Sequence, residues 1–191
     1  EVFMKTAYTL VQERLEGEQG DTILWDDAIT RDLADFQKQA VRTAAGMIRQ
    51  YGGCFVSDVV GLGKSYIGSA IVKHFERTEG CRPLVICPKP LEEMWEGYNE
   101  TYDLNARVLS MSMLQAGERG IDIMNDQKYR DRDFILIDES HNFRHHSTQR
   151  YEELANFLGR GQRVCLVTAT PRNTHALDVY HQMKLFHPEE I

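Results

Sequence analysis

The sequence predicts an α/β fold with a mainly parallel central sheet flanked by helices. Short runs that are apolar at every position, such as 84–87 and 134–137, alternate with longer segments of helical periodicity. Strands that are apolar throughout are typical of parallel sheets covered on both faces. A glycine-rich turn between the first predicted strand and the next helix is the third indication, because such turns commonly lead into phosphate-binding helices.

Length and composition fit one domain and exclude several classes of protein. The chain has 191 residues, with 42% hydrophobic and 27% charged residues, as in an ordinary soluble globular domain. The net charge of −7 argues against a surface covered in nucleic-acid-binding groups, although it leaves room for a local basic groove. No apolar run approaches the roughly 20 residues that a membrane span needs.

The cysteines and the chain ends suggest the setting of the protein. The four cysteines form no CxxC pair, which favours a reduced compartment, so a cytoplasmic location is expected, nucleoid-associated in a prokaryote. The sequence begins with Glu1 rather than Met and ends at Ile191 without an evident stop. We therefore expect it to be a piece of a longer protein.

The predicted elements follow in order along the chain. An amphipathic helix is expected around residues 4–15, and a second helical stretch runs from Ile29 to Ile48 with Phe36 on its apolar side. Strands are predicted at 54–56, 83–87, 107–110, 134–137 and 164–167. Helical periodicity follows at 67–75, 91–98, 151–158 and 179–186. The polar stretch 111–133 has no clear periodicity.

The glycine-rich stretch after the first strand, residues 57–65, reads SDVVGLGKS. Backbone N–H groups and the dipole of the following helix would favour a phosphate there. Lys64 would reach the β and γ phosphates of a nucleotide, and the Ser65 hydroxyl would ligate Mg²⁺. A generic P-loop has glycine at position 58, so a plain turn before a surface helix remains an alternative. The candidate nucleotide-binding residues are Asp58, Gly61, Leu62, Gly63, Lys64 and Ser65.

Two carboxylates, Asp138 and Glu139, directly follow the apolar run 134–137. Charges beside a buried strand are costly unless they have a partner or a function. In a nucleoside triphosphatase the first would hold Mg²⁺, and the second would orient and deprotonate the attacking water. Solvated charges at a strand end are the alternative interpretation.

A third stretch, Thr168–Pro171, follows the last predicted strand and contains two hydroxyls, those of Thr168 and Thr170. By itself it predicts a turn before a helix that starts at Pro171. Because ligands of parallel α/β sheets bind beyond the carboxyl ends of the strands, we expect all three stretches to meet at one edge.

In combination and order, these stretches resemble the first RecA-like lobe of a superfamily-two helicase or translocase, most of all the Swi/Snf-type ATPases. The resemblance covers about residues 36–187, and the segments that carry it are 36–37, 58–65, 87–88, 138–141 and 168–171. The family's loop begins with aspartate, which accounts for Asp58. Three positions depart from the family pattern. Val59 stands where the family commonly has an acidic residue, Ser65 replaces threonine, and Ser140 replaces alanine or glycine.

The resemblance implies an enzyme that binds ATP and Mg²⁺ and hydrolyses ATP to move on nucleic acid, first of all on double-stranded DNA. It implies that Gln37 recognises adenine and that Lys64 and Glu139 are catalytic. It further implies that His141 links the ATP site to the motif at Thr168–Pro171.

The resemblance also implies partners. Lys89 and Arg144 become candidates for contacts with the nucleic-acid backbone, although isolated basic residues are often ordinary surface charges. The chain divides into a helical extension, 1–30, and a lobe, 31–191. A second RecA-like lobe in the same parent would supply an arginine, so this piece alone is expected to bind ATP weakly and hydrolyse it poorly or not at all.

Two alternatives stay open at this point. One is an RNA or strand-separating helicase. The other is a nucleotide-dependent regulatory or interaction module without motor activity.

Overall fold

The structure, a computed structural model, describes residues 27–57, 63–114, 120–143, 148–169 and 176–186. Within these ranges the helices are α1 (Ala28–Asp32), α2 (Asp35–Tyr51), α3 (Lys64–Glu79), α4 (Glu92–Tyr102), α5 (Gln149–Leu158) and α6 (Ala176–Met183). The strands are β1 (Gly53–Ser57), β2 (Pro83–Cys87), β3 (Arg107–Ser110), β4 (Phe134–Asp138) and β5 (Arg163–Thr168). Short 3₁₀ turns cover Lys89–Leu91, Met111–Met113 and Ser140–Phe143.

The five strands form one sheet in the order β1-β5-β4-β2-β3, and every pairing is parallel. The predicted α/β class is therefore confirmed. The register pairs Ser57 with Thr168 and Asp138 with Val167, so the carboxyl ends of β1, β5 and β4 lie side by side. The stretches that follow these strands start from the same edge of the sheet.

Two apolar layers cover the sheet. Alternate residues of β4 point to opposite layers: Leu136 packs with α2, α3 and α4, while Ile135 and Ile137 pack with α5. Because side chains alternate along a strand, this period places Asp138 on the same side as Leu136, towards α3 and α4. The side of the sheet on which the first carboxylate lies thus follows from strand geometry.

The helix predicted from Ile29 to Ile48 is wrong as a single element. The chain is extended at Leu33, with ψ of 137°, and this break separates α1 from α2. Asp27 caps α1, and the side-chain oxygen of Gln37 accepts the Ala34 N–H at 2.9 Å, so each of the two helices has its own N-terminal hydrogen bond. Phe36, predicted to face the core, is 54% exposed in the first turn of α2.

The remaining predictions concern the N-terminal helix, the domain boundary, the polar stretch and membrane spans. The helix expected at 4–15 lies outside the described residues, and the boundary at residue 30 stays a prediction, although Ile29 on α1 is buried in the core beside α2 and α3. Part of the polar stretch after β3 forms turns, with Ile123 buried against the sheet. In the part of the chain that the structure describes, no helix is long and apolar enough to cross a membrane.

Candidate nucleotide-binding site

The N-terminus of α3 lies at the end of the glycine-rich stretch. Gly63 is the N-cap residue and adopts a left-handed conformation, with φ of 78° and ψ of 43°, which glycine accepts without steric cost. Lys64 and Ser65 form the first turn, where backbone N–H groups lack partners within the helix. The Ser65 carbonyl accepts the Ser69 hydroxyl at 2.8 Å. This end of α3 has the dipole and the residue types that favour a bound phosphate.

Gln37 lies directly against this turn. A Cβ built on Gly63 would come within 2.7 Å of the Gln37 side-chain nitrogen, so a larger residue at position 63 would displace that amide. The Gln37 oxygen is already bonded to the Ala34 N–H at 2.9 Å. The structure therefore brings together the start of α2 and the glycine-rich turn, which are 26 positions apart in the sequence.

Asp138 is the last residue of β4 and is only 4% exposed. One carboxylate oxygen accepts the indole N–H of Trp95 at 2.9 Å, and the other accepts the backbone N–H of Glu139 at 2.8 Å. Both oxygens of this buried group therefore have a donor, as a buried carboxylate requires.

Burial raises the pKa of the Asp138 carboxyl above its ordinary value. The bonds from Trp95 and from the Glu139 backbone oppose this rise, whereas the Glu139 charge adds to it and the Lys64 ammonium partly offsets it. The ionised form of Asp138 is thus costly where it stands. A cation at this position would stabilise the ionised form.

Glu139 has an unusual backbone conformation, with φ of +52°. Few residues other than glycine, asparagine and aspartate adopt this region, and such conformations collect at functional sites. Neighbours fix it on both sides: its N–H donates to Asp138, and its carbonyl accepts the backbone and side-chain N–H groups of Asn142 at 3.1 and 2.8 Å. These contacts hold Glu139 where the chain turns out of β4.

His141 connects Glu139 to the end of β5. Its Nδ1 lies 3.1 Å from a Glu139 carboxylate oxygen and 3.2 Å from the Thr168 hydroxyl. An ionised carboxylate only accepts hydrogen bonds, so the Nδ1–H donates towards Glu139. Thr168 is fully buried. The imidazole therefore joins the acidic pair to the neighbouring strand through direct contacts.

No protein-family model matches the sequence. The chain is 25% identical over 188 residues to the DNA annealing helicase and endonuclease ZRANB3 of Mus musculus, covering 86% of this chain and 17% of that protein. It is also 25% identical over 172 residues to the SWI/SNF-related matrix-associated actin-dependent regulator of chromatin subfamily A-like protein 1 of Drosophila melanogaster, covering 80% and 22%. The chain thus spans less than a quarter of the length of these relatives.

A solved structure agrees in fold. The Sulfolobus solfataricus SWI2/SNF2 ATPase core, in complex with dsDNA, matches with a TM-score of 0.69 and 19% identity over 88% of this chain and 38% of that one. In sequence the chain is similar to these SWI/SNF-related proteins, and in fold it is similar to the SWI2/SNF2 ATPase core, as the resemblance to a RecA-like lobe of the Swi/Snf type implies. The acidic pair of this lobe lies at the carboxyl edge of a parallel sheet, where ligands of such sheets bind.

Of the remaining predicted site residues, the structure describes Lys89 and leaves five others outside the described ranges. Lys89 opens the turn after β2, its side chain is 74% exposed, and its ammonium group is bonded to the Glu92 carboxylate. It is thus an accessible cation at the same edge of the sheet as the acidic pair. Five predicted residues lie outside the described ranges, namely Asp58, Gly61, Leu62, Arg144 and Thr170.

Two polar contacts of the lobe escaped sequence reasoning. Trp95 lies within the helical periodicity of residues 91–98 and is fully buried, but its N–H also bonds to Asp138. Ser140 donates to the side-chain oxygen of Gln182 on α6 at 2.8 Å, and both residues are fully buried. A buried indole N–H needs an acceptor, which is a signal in the sequence. The sequence does not indicate which residue is that acceptor, because Asp138 lies 43 residues away.

Proposed function

We propose that this lobe binds ATP with Mg²⁺ and takes part in its hydrolysis within a motor that moves on DNA. One observation carries the proposal: Asp138 is buried on the α3 side of the sheet, where the Trp95 indole that bonds it also packs beside Gly68 of α3. The first turn of α3 and the acidic pair would therefore form one site.

Lys64 and the first turn of α3 would hold the phosphates, and Ser65 and Asp138 would hold Mg²⁺. Hydroxyl and carboxylate oxygens are the donors that Mg²⁺ prefers, and the costly ionised form of Asp138 fits a site completed by a cation. When bound, the ion would neutralise charge that develops on the phosphates. Gln37, whose amide lies beside Gly63, would meet the base of a nucleotide bound at this turn.

Glu139 would orient the attacking water and accept its proton. Its backbone is fixed by Asn142, and His141 donates to its carboxylate, so the position of the group is set before a nucleotide arrives. A movement of the Glu139 side chain would alter the hydrogen bonding of Thr168 through His141, because the same Nδ1 contacts both side chains.

Double-stranded DNA is the proposed track, with Lys89 and Arg144 as contacts to its backbone. The mouse relative is by name a DNA annealing helicase, and the Sulfolobus core was solved with dsDNA. We also propose that residues 31–191 form the lobe and that a second RecA-like lobe of the parent chain supplies an arginine to the phosphates. Phosphoryl transfer commonly needs such a group. Without that arginine, the isolated lobe would be a weak ATPase.

The Glu139→Gln variant tests this function in the full-length protein. We expect DNA-stimulated ATP hydrolysis to fall at least about 100-fold, because a general base contributes that much or more. ATP affinity should stay near the wild-type value, since the substitution leaves the phosphate-binding turn intact. Steady-state hydrolysis with and without duplex DNA, and binding of a fluorescent ATP analogue, measure the two quantities.

Glu152→Gln is the matched control, because it makes the same chemical change on an exposed position of α5. It should behave as wild type in both assays. Full hydrolysis by Glu139→Gln would contradict the proposed function.

A further inference from the structure

The Trp95 side chain donates a hydrogen bond to Asp138, with its Nε1 2.9 Å from one carboxylate oxygen. The other donor to Asp138 is the backbone N–H of the next residue, which holds the second oxygen at 2.8 Å. Together the two bonds fix both the position and the rotation of the carboxylate. An ionised carboxylate has about four acceptor sites, so the group can still accept from an ion or from its water shell.

The indole ring is itself held tightly. Trp95 lies on α4 with no exposed surface, and Tyr98 contacts it edge-to-face with ring centroids 5.9 Å apart. On the other side, a Cβ built on Gly68 of α3 would lie 3.3 Å from the far edge of the indole. The absence of a side chain at Gly68 lets the ring pass between α3 and β4. Its N–H therefore points at Asp138 with little freedom to turn away.

A buried tryptophan in this position needs only a core role to explain its bulk. The hydrogen bond adds something that bulk does not, because a phenylalanine would fill most of the same space without donating a proton. Side chains that hold a metal ligand in place typically change metal affinity 10- to 100-fold when they are removed.

We propose that Trp95 is a positioning residue for Mg²⁺: its indole N–H holds the Asp138 carboxylate in the orientation that receives the ion bound with ATP. The inference rests on the proposed function, since it assigns the same ion to Asp138. It adds α4 to the elements that build the site, alongside α3 and β4.

The test measures how strongly Mg²⁺ improves nucleotide binding. The affinity of the 191-residue chain for a fluorescent ATP analogue is measured with excess Mg²⁺ and again with EDTA, and the ratio of the two affinities is compared between variants. Trp95→Phe should lower this ratio about tenfold, with the loss confined to the Mg²⁺ condition. A purely structural role would leave the ratio unchanged or weaken binding equally in both conditions.

Phe157→Leu is the matched control. Phe157 is fully buried on α5, in the opposite layer of the core, so its truncation leaves a cavity remote from the site. It should reduce the free energy of unfolding yet keep the wild-type ratio. A lower ratio in Phe157→Leu would overturn the assignment, because general loosening would then explain the result.

Asp138→Asn separates the two claims. This variant should abolish the Mg²⁺ dependence, and adding Trp95→Phe to it should have no further effect on the ratio. A wild-type ratio in Asp138→Asn would contradict the proposed function itself. A collapsed ratio in Asp138→Asn together with a wild-type ratio in Trp95→Phe would overturn only the positioning role.

A second measurement leaves Trp95 intact, in case Trp95→Phe does not fold. The chain has two tryptophans, so Trp25→Phe leaves Trp95 as the only tryptophan, and its emission is measured with excitation that the tyrosines do not absorb. Adding Mg²⁺ to the ATP-bound variant should shift Trp95 fluorescence, because the ion changes the charge on the acceptor of its N–H. An unchanged spectrum, with the Mg²⁺-dependent gain in ATP affinity intact, would overturn the inference.

Discussion

Charged side chains gather at both ends of α3. Its first residue is Lys64, and at its end Glu79 accepts bonds from Arg49 at 2.9 Å and from Arg163 at 2.6 Å. Both guanidinium groups lie over the Phe75 ring, 5.5 and 5.6 Å from its centroid. Arg163 begins β5, so this cluster lies at the edge of the sheet opposite to the candidate site. The cluster around Glu79 therefore lies away from the candidate site, and we expect its charges to act on stability rather than on ligand binding.

His74 is the titratable residue through which this second cluster responds to pH. It is 5% exposed, and its Nε2 lies 2.9 Å from the guanidinium of Arg49, a group that can only donate. The proton of the neutral ring is therefore on Nδ1, which has no hydrogen-bond partner among the described residues. Burial first, and the Arg49 charge second, lower the pKa of His74 to about 4.

We predict that this histidine destabilises the fold as the pH falls. Its folded pKa of about 4 lies below the ordinary 6.5, so the unfolded chain binds the proton more readily between these values. The contribution is complete above about pH 6.5 and is lost as the pH falls towards 4. At pH 5 the loss amounts to about 2 kcal/mol of the free energy of unfolding.

Urea unfolding of wild type and His74→Gln at pH 7.5 and pH 5 checks this prediction. The wild type should lose about 2 kcal/mol more than the variant over this interval. Equal losses in the two proteins would show that His74 is not the responsible group.

At the scale of elements, α3 is the helix around which the site is packed. It touches α2, α4 and the central strands, and its face towards the sheet carries Gly68. A Cβ at that position would lie 3.0 Å from Leu136 and 3.3 Å from Trp95, closer than side chains ordinarily approach. The distance between α3 and β4, and with it the distance between the two halves of the site, is set at this glycine.

We predict that Gly68→Val destabilises the lobe by about 1–3 kcal/mol, since added methyl groups force Leu136 and Trp95 aside. Gly97→Val is the matched control on α4, where a Cβ added to the glycine would have no neighbouring atom within 4 Å among the described residues. It should change the free energy of unfolding by no more than about 0.5 kcal/mol. Urea unfolding compares the two, and equal stability of both variants would contradict the packing argument.

Sequence reasoning found the elements better than it found their ends. The strands were predictable because burial on both faces makes each of them apolar throughout. The break between α1 and α2 was not, because Ile29 and Leu33 keep helical spacing across it while hydrogen bonds from Asp27 and Gln37 start each helix anew. Periodicity describes which residues are buried, and it does not say where the backbone turns between them.

At the scale of the whole molecule, the parallel sheet brings the parts of the site together. The order β1-β5-β4-β2-β3 places the ends of β1, β5 and β4 next to one another, although the stretches that follow them are far apart in the sequence. Convergence at one edge was predictable from the fold class. The order of the strands, and the hydrogen bond from Trp95 on α4 to Asp138, depend on tertiary packing that no local pattern records.

The most direct test of the proposed ATP site is the affinity of the chain for MgATP in wild type and in Lys64→Ala. We expect the variant to lose about tenfold or more in affinity, because a charged hydrogen bond to a phosphate contributes at least about 1.5 kcal/mol. Lys128→Ala, an exposed lysine in the turns before β4, should bind as the wild type does. Wild-type affinity in Lys64→Ala would contradict the claim that the first turn of α3 holds the phosphates of ATP.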